Sequence, residues 1–280
     1  MKENSNSMCK LGRRICSVLV FLCTLSMTAS MIPSAFAYVD PFFTEPSTSN
    51  KQVAIVIDDF GNRMGGTEHM LQLPVKITVA VMPFMQTTKA DAEMAHRYGH
   101  DVIVHMPMEP MRGNPKWLGP GAILANLSDE EIENRVRQAI DNVPYAVGMN
   151  NHMGSKVTAD KRIMRIVLQV CKEKGLFFLD SRTNYRSVIG EVGKELGVPV
   201  INNHLFLDDE NTDSHISKQW TKVEMLLQKQ SPFVVIGHVG RAGLQTSAVL
   251  HRVIPEAQQH IQFVRVSELR DNPPPPMYGQ

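Results

Sequence analysis

Short apolar runs alternate with longer amphipathic segments through most of this chain. The runs predict strands at residues 53–57, 77–82, 101–104, 146–149, 176–179, 199–202, 233–236 and 262–266. The first, Val53-Ala54-Ile55-Val56-Ile57, has no polar interruption and is rich in β-branched residues, the signature of a strand buried on both faces. Helical periodicity predicts helices at 89–98, 128–142, 160–174, 187–196, 217–230 and 247–259. Ser128 followed by Glu131 forms a capping-box start, and Gly175 is a natural helix stop. Repeated βα units imply parallel strands joined by right-handed crossovers, hence a barrel or an open doubly wound sheet. No glycine-rich phosphate loop opens a helix, which disfavours the nucleotide-binding version. The expected fold is therefore α/β, a barrel of seven or eight mostly parallel strands.

The chain ends carry different information. Lys10, Arg13 and Arg14 precede an apolar stretch from Ile15 to about Met31, and Ala35-Phe36-Ala37 offers small residues before a cut. Residues 1–37 thus read as a secretory signal peptide cleaved before Tyr38, with an uncleaved membrane anchor as the alternative. Residues 38–50 read as a linker, 51–271 as the folded domain and 272–280 as a Pro-rich tail. Cys9, Cys16 and Cys23 fall in the signal, leaving Cys171 without an internal partner and set among apolar helix residues. Removing the signal takes away four basic residues and one acidic one, and the formal charge moves from +1 to −2. Near-neutrality, few aromatics and no basic block exclude nucleic acid as the main partner. No stable membrane insertion is expected after signal cleavage, and the oligomeric state is left open by the sequence.

Polar clusters recur where the predicted strands end. Asp58-Asp59 ends the first, and His105 and Glu109 follow the third. Asn150, Asn151 and His152 follow the fourth, and Asp180, Ser181 and Arg182 the fifth. His204, then Asp208 and Asp209, lie beyond the sixth, and His238 follows the seventh. Parallel strands bring these ends to one face, where barrel active sites sit. Adjacent carboxylates repel each other and need a cation, a shared proton or strong donors. Asp59, His105 and His152 are the expected metal ligands, with a position left open as in catalytic zinc sites. Asp58 is the expected base, the reverse assignment of the two aspartates remaining open. Glu109 is a further ligand or a partner that orients His105. His238 is the expected proton donor, with Asp180 and Arg182 as its orienting pair, or with Asp180 serving instead as a loop cap. Asn151, Arg182 and Trp117 are the expected substrate contacts. Asp208-Asp209-Glu210 reads as a solvated acidic loop, and His69, His96, His100, His215, His251 and His260 as surface residues.

The order of motifs resembles the divergent polysaccharide deacetylases, a remote branch of the NodB-type carbohydrate esterases. The resemblance spans residues 51–269. It rests on Ile57-Asp58-Asp59-Phe60-Gly61, Ala80-Val81-Met82-Pro83 and His105-Met106-Pro107-Met108-Glu109-Pro110. It rests also on Gly148-Met149-Asn150-Asn151-His152-Met153-Gly154-Ser155 and Phe178-Leu179-Asp180-Ser181-Arg182-Thr183. It implies a distorted (β/α) barrel, a divalent metal that is usually Zn2+, and hydrolysis of N- or O-acetyl groups on a polysaccharide. It implies that Asp58 is the base and Asp59 a ligand. The parent family's two metal histidines, four residues apart, correspond here to His105 and Glu109, which makes His152 the replacement ligand. The parent family's late histidine matches His238, and its Arg-Pro motif has no counterpart, Asn150-Asn151-His152 standing in that place.

The leading expectation is an exported metal-dependent hydrolase that removes acetyl groups from a cell-envelope or extracellular polysaccharide. The alternatives are a non-catalytic carbohydrate-binding or envelope-assembly protein on the same barrel, and a hydrolase of another ester or amide.

Overall fold

The computed structural model describes residues 51–274. The expected signal peptide and linker, and most of the Pro-rich tail, lie outside the described residues. Strands β1 (Gln52–Phe60), β2 (Thr78–Val81), β3 (Asp101–Met108), β4 (Ala146–Met153), β5 (Phe177–Asp180), β6 (Val200–Asn202), β7 (Leu205–Phe206), β8 (Phe233–His238) and β9 (Gln262–Val264) form one sheet. Every pairing in it is parallel, in the order β6-β5-β4-β3-β2-β1-β8-β7. The helices are α1 (Thr67–Leu71), α2 (Thr88–Arg97), α3 (Asp129–Asn142), α4 (Lys161–Glu173), α5 (Ile189–Leu196), α6 (Asp213–Leu226) and α7 (Gly243–Ala257). All eight predicted strands and six predicted helices are present. Two short elements, α1 and β7, escape pattern reading because five and two residues cannot display a period.

The sheet curls almost to closure. Its two edges, β6 and β7, are consecutive in the chain and separated only by Asn203 and His204. These residues stitch the seam: the Asn203 N–H donates to the Asp180 carbonyl on β5's side, and the His204 N–H donates to the Val234 carbonyl on β8. The Asn203 side chain is buried there, its amide donating to Ser181 O at 3.3 Å and its oxygen accepting from Leu205 N at 3.1 Å. The eighth predicted strand, β9, does not extend the path. It pairs with Gln52–Ala54 of β1, while β2 pairs with β1 from Val56 onward.

Side chains alternate between two cores. One lies between sheet and helices and includes Val53, Ile55 and Ile57 of β1, Val102 and Val104 of β3, and Phe178 of β5. The other fills the concave face without any residue of α1–α7. It comprises Ala54 and Val56 of β1, Ile103 of β3, Phe177 and Leu179 of β5, Ile201 of β6, and Val234 and Ile236 of β8. Val266 and Leu269, from the 3-10 turn after β9, belong to this inner core. The next inward positions after these apolar residues are Asp58, His105, Asn150 and His238, so the inner face turns from apolar to polar towards its C-terminal end.

Five strands run further than the pattern predicts. β1, β3, β4, β5 and β8 continue to Phe60, Met108, Met153, Asp180 and His238, so the polar residues placed after them, Glu109, Ser181 and Arg182 excepted, belong to the strands themselves. The rigid ladder therefore carries them. Cys171 is buried in α4, and burial pushes its thiol up to about 12, which leaves it inert. His100, expected on the surface, is buried, its ring bonded to Leu71 O at 3.0 Å and to Ile77 N at 3.2 Å.

Removing the Asn203 side chain strands a buried N–H and a buried carbonyl at the seam. Asn203→Ala is expected to cost about 1–3 kcal/mol, read as a lowered urea midpoint with an unchanged m-value.

Candidate metal centre

Asp58 and Asp59 both reach the concave face because β1 breaks its alternation between them. Ile57 pairs with Val79 and Phe60 with Val81, so three steps on β1 match two on β2. Asp59 supplies the extra residue in a left-handed conformation, φ 72°, which Asp adopts more readily than most residues. Phe60 then returns to the helix-side core.

Three donor atoms converge at this point. Asp59 Oδ1 lies 3.2 Å from His105 Nε2 and 3.0 Å from His152 Nδ1, and the two ring nitrogens are 3.1 Å apart. Tetrahedral zinc with bonds near 2.0–2.1 Å separates its ligands by about 3.3 Å, so the triangle is close to that size. Asp59 Oδ1 is buried and accepts no hydrogen bond.

The protons confirm the character of the triangle. Asn150 Nδ2 donates to Asp58 Oδ1 at 2.9 Å and lies 3.3 Å from Ser181 Oγ. Its Oδ1 therefore faces His105 Nδ1, 2.7 Å away, and can only accept. His105 thus carries its proton on Nδ1 and, when neutral, presents a lone pair from Nε2. His152 Nε2 faces the Trp117 carbonyl oxygen at 3.1 Å, which likewise leaves a lone pair on Nδ1. Two imidazole lone pairs and a carboxylate oxygen point at one another and repel unless a cation stands among them. Asp59, His105 and His152 can hold a metal ion, and this donor set suits a divalent one.

The charges agree. Burial pushes the Asp59 carboxyl up, but the two imidazole rings of His105 and His152 beside it outweigh burial and hold the group well below the ordinary value. Burial opposes protonation of His105, yet the carboxylates of Asp58 and Asp59 outweigh it and raise the ring above its usual value. Positive charge is favoured there. Asp58 differs: burial dominates and raises its carboxyl, despite His105, His238 and the Asn150 hydrogen bond. Its Oδ2 is 3.7 Å from His105 Nε2, beside the triangle and outside it.

His238 sits opposite Asp58 in the β1–β8 register. Its Nδ1 is 2.7 Å from Asp208 Oδ1, while Asp208 Oδ2 accepts from the His238 N–H at 2.8 Å and from Thr246 Oγ1 at 2.7 Å. Burial lowers the His238 ring, but Asp208, with Asp58 and Asp59 behind it, outweighs burial and raises it to about 9. Asp208 is thus a buried orienting carboxylate and no solvated loop residue. A cleft of about 540 Å³ opens from Asp59 and His238 along Asp208, Asp209, Glu210 and Arg241.

Several expected site residues stand elsewhere. Glu109 is neither a ligand nor the partner of His105: its Oε1 pairs with Lys156 Nζ at 2.6 Å and its Oε2 accepts from Ala125 N at 2.7 Å. Pro107 and the exit from β3 turn it away, and Asn150 orients His105 instead. Asp180 continues the parity of Phe178, so its side chain faces the helix layer, away from His238. Its Oδ1 accepts from Arg182 N at 2.8 Å, and its Oδ2 is 4.0 Å from the Arg182 guanidinium. That pair does not orient His238. Asn151 has the outward parity too. It is buried, its Nδ2 donating to Met153 O at 2.7 Å and its Oδ1 accepting from Ser181 N at 3.1 Å, so it fastens β4 to the turn after β5 and does not face a substrate. Trp117 remains at the rim, 64% exposed, on the 3-10 turn Pro115–Trp117. The roles of Asn150 and Asp208 are absent from the sequence reading. Asp208 had a signal: Leu205-Phe206-Leu207 is an apolar run ending in a carboxylate, as β1 is.

A family profile described as divergent polysaccharide deacetylase matches residues 55–270, and the chain belongs to that family. It is 36% identical over 222 residues to the uncharacterized protein YibQ of Escherichia coli, covering 79% of this chain and 68% of that protein. It is 33% identical over 251 residues to an uncharacterized protein of Haemophilus influenzae, covering 88% of each. The crystal structure of an uncharacterized protein from Agrobacterium tumefaciens superimposes with a TM-score of 0.72 at 24% identity, covering 78% of this chain and 88% of that one. That likeness is one of fold.

Zinc at a thousandfold excess over its dissociation constant is expected to stabilise the chain by about 4 kcal/mol, which is roughly 8–16 °C in melting temperature for a domain of this size. Asp59→Ala is expected to abolish the rise, and Glu109→Gln to leave it intact, as read by calorimetry with and without zinc.

Proposed function

We propose that the protein is an exported, zinc-dependent hydrolase that removes acetyl groups from a cell-envelope or extracellular polysaccharide. The observation that carries this is the convergence of one carboxylate oxygen and two imidazole nitrogens, from Asp59, His105 and His152, with Asp58 on one side and the His238–Asp208 pair across from it. Export rests on the N-terminal sequence pattern. Membership of the deacetylase family supports the acetylated glycan as substrate class.

A bound zinc ion supplies Lewis acidity, which favours deprotonation of water near neutral pH and polarises a carbonyl. Asp58, its carboxyl raised by burial, accepts the proton of the attacking water. Asn150 holds Asp58 and His105 through one amide group, fixing base and ligand relative to each other. Water oxygen adds to the acetyl carbon, the carbon–nitrogen or carbon–oxygen bond breaks, and acetate leaves. His238 gives its proton to the departing amine or alkoxide, and Asp208 keeps that ring charged and aimed. The exposed indole of Trp117 offers a flat apolar face for a sugar ring beside His152. Asp209 and Glu210 line the cleft beside Arg241, with Asp208 neutralised by His238, and this acidic excess favours a neutral or amino-sugar polymer over a polyanion.

Acetate release from a panel of neutral, amino-sugar and uronate-rich acetylated glycans tests the reading. Asp58→Asn and His105→Ala are expected to lower turnover by at least about 100-fold with unchanged circular dichroism; retained turnover in either sinks the mechanism. Zinc uptake without acetate release from any glycan points to the binding role or to another ester or amide. The rate is expected to fall as pH rises through the His238 pKa. That limb is expected at or below about 9, because a bound dication opposes protonation. Asp208→Asn is expected to move the limb to lower pH.

A further inference from the structure

Asp91 is a fully buried carboxylate in the first turn of α2, 0% exposed, that none of the chemistry above uses. An acid in a first helical turn ordinarily serves the helix's own N–H groups. Here Oδ2 reaches across to β1's exit and accepts from the Gly61 N–H at 2.9 Å, and it also accepts from Thr87 Oγ1 at 2.9 Å. Oδ1 makes no hydrogen bond and lies 3.8 Å from Arg63 Nε, on the same exit segment.

Gly61 is two residues beyond the ligand Asp59. The segment between them is held from the same side by two more bonds: Met82 N–H to Phe60 O at 2.8 Å and Thr87 N–H to Gly61 O at 2.7 Å. Gly61 itself has φ 119°, and a Cβ there would meet Met82 O at 2.9 Å, so the chain has no freedom to shift towards β2. Phe60 O and the Gly61 N–H belong to one peptide unit, so Met82 clamps its carbonyl end and Asp91 clamps its N–H end. Rotation of that peptide acts on the left-handed turn at Asp59, whose carboxylate must face His105 and His152.

We propose that Asp91 is a positioning residue for the metal ligand Asp59: it locks the turn that brings Asp59 Oδ1 into the triangle, and Arg63 balances its charge. This rests on the metal-centre reading above. A carboxylate that only stabilises this turn would, on removal, lower stability and leave the metal site unchanged. A positioning carboxylate alters both.

The test uses the full chain loaded with zinc, and separately with Co2+ as a spectroscopic probe. Asp91→Ala and Asp91→Ser remove the carboxylate acceptor for Gly61, and alanine is the strongest helix former, so it is the variant expected to fold in any case. Each is expected to weaken zinc affinity by about 10–100-fold, measured by chelator competition, and to shift the visible cobalt bands. Asp91→Asn keeps an acceptor oxygen and is expected to restore both the affinity, to within about threefold, and the bands. Lowered thermal stability in the alanine and serine variants with wild-type zinc affinity and wild-type cobalt bands overturns the inference and leaves Asp91 a packing residue. Failure of the wild-type chain to bind either metal overturns the metal centre and this inference together, whereas wild-type binding with indifferent variants overturns this inference alone.

Discussion

Alternation along a β-strand lets only every second side chain reach the concave face, and the metal centre depends on the one place where that rule is broken. Without the extra residue at Asp59, either Asp58 or Asp59 would be driven into the helix-side core beside Ile57 and Phe60. The bulge lets two carboxylates from consecutive positions of one rigid strand face the same side. Everything opposite is then set by register: His238 across from Asp58 on β8, and Asn150 across from His105 on the β3–β4 pair. The left-handed backbone at Asp59 costs conformational energy, offset by the ladder on both sides of β1 and the contacts that hold the strand's exit.

Electrostatics complete what geometry begins. Asn150 is neutral, yet it decides which nitrogen of His105 is bare, because its own amide is spent on Asp58. The Trp117 carbonyl does the same for His152. Two uncharged acceptors thus turn two histidines into lone-pair donors and make a cation the natural occupant. Across the cleft the logic is reversed: Asp208 favours the charged form of His238, so the histidines of this face differ through their partners and not through residue type.

Much of this was legible in the residues. Long β-branched runs announced β1 and β8, and amphipathic spacing announced α3 and α4, because burial on both faces or on one stripe dictates composition. Asp58, Asp59, His105, His152 and His238 could be singled out as polar residues at the lips of apolar strands. Parity was the missing step. Counting inward from Leu179 assigns Asp180 to the outer layer, and counting from Ile103 assigns His105 to the lumen. The same count separates Asn150, which faces the site, from Asn151, which does not. Glu109 misled because four-residue spacing suggests a shared face only on a helix, and β3 with its exit at Pro110 is not one. Asp208 misled because β7 is two residues long, too short to mark itself as a strand. Tertiary pairings such as Asp91 with Gly61 are 30 residues apart and have no local signature.

One contact has an evolutionary side. The group that orients His152 is the main-chain carbonyl of residue 117, and every amino acid carries one. The indole can therefore be exchanged for another side chain, reshaping the exposed rim, while His152 keeps its tautomer. Rim surface and donor triangle share a residue here but not an atom, so substitution at position 117 can change the one without disturbing the other.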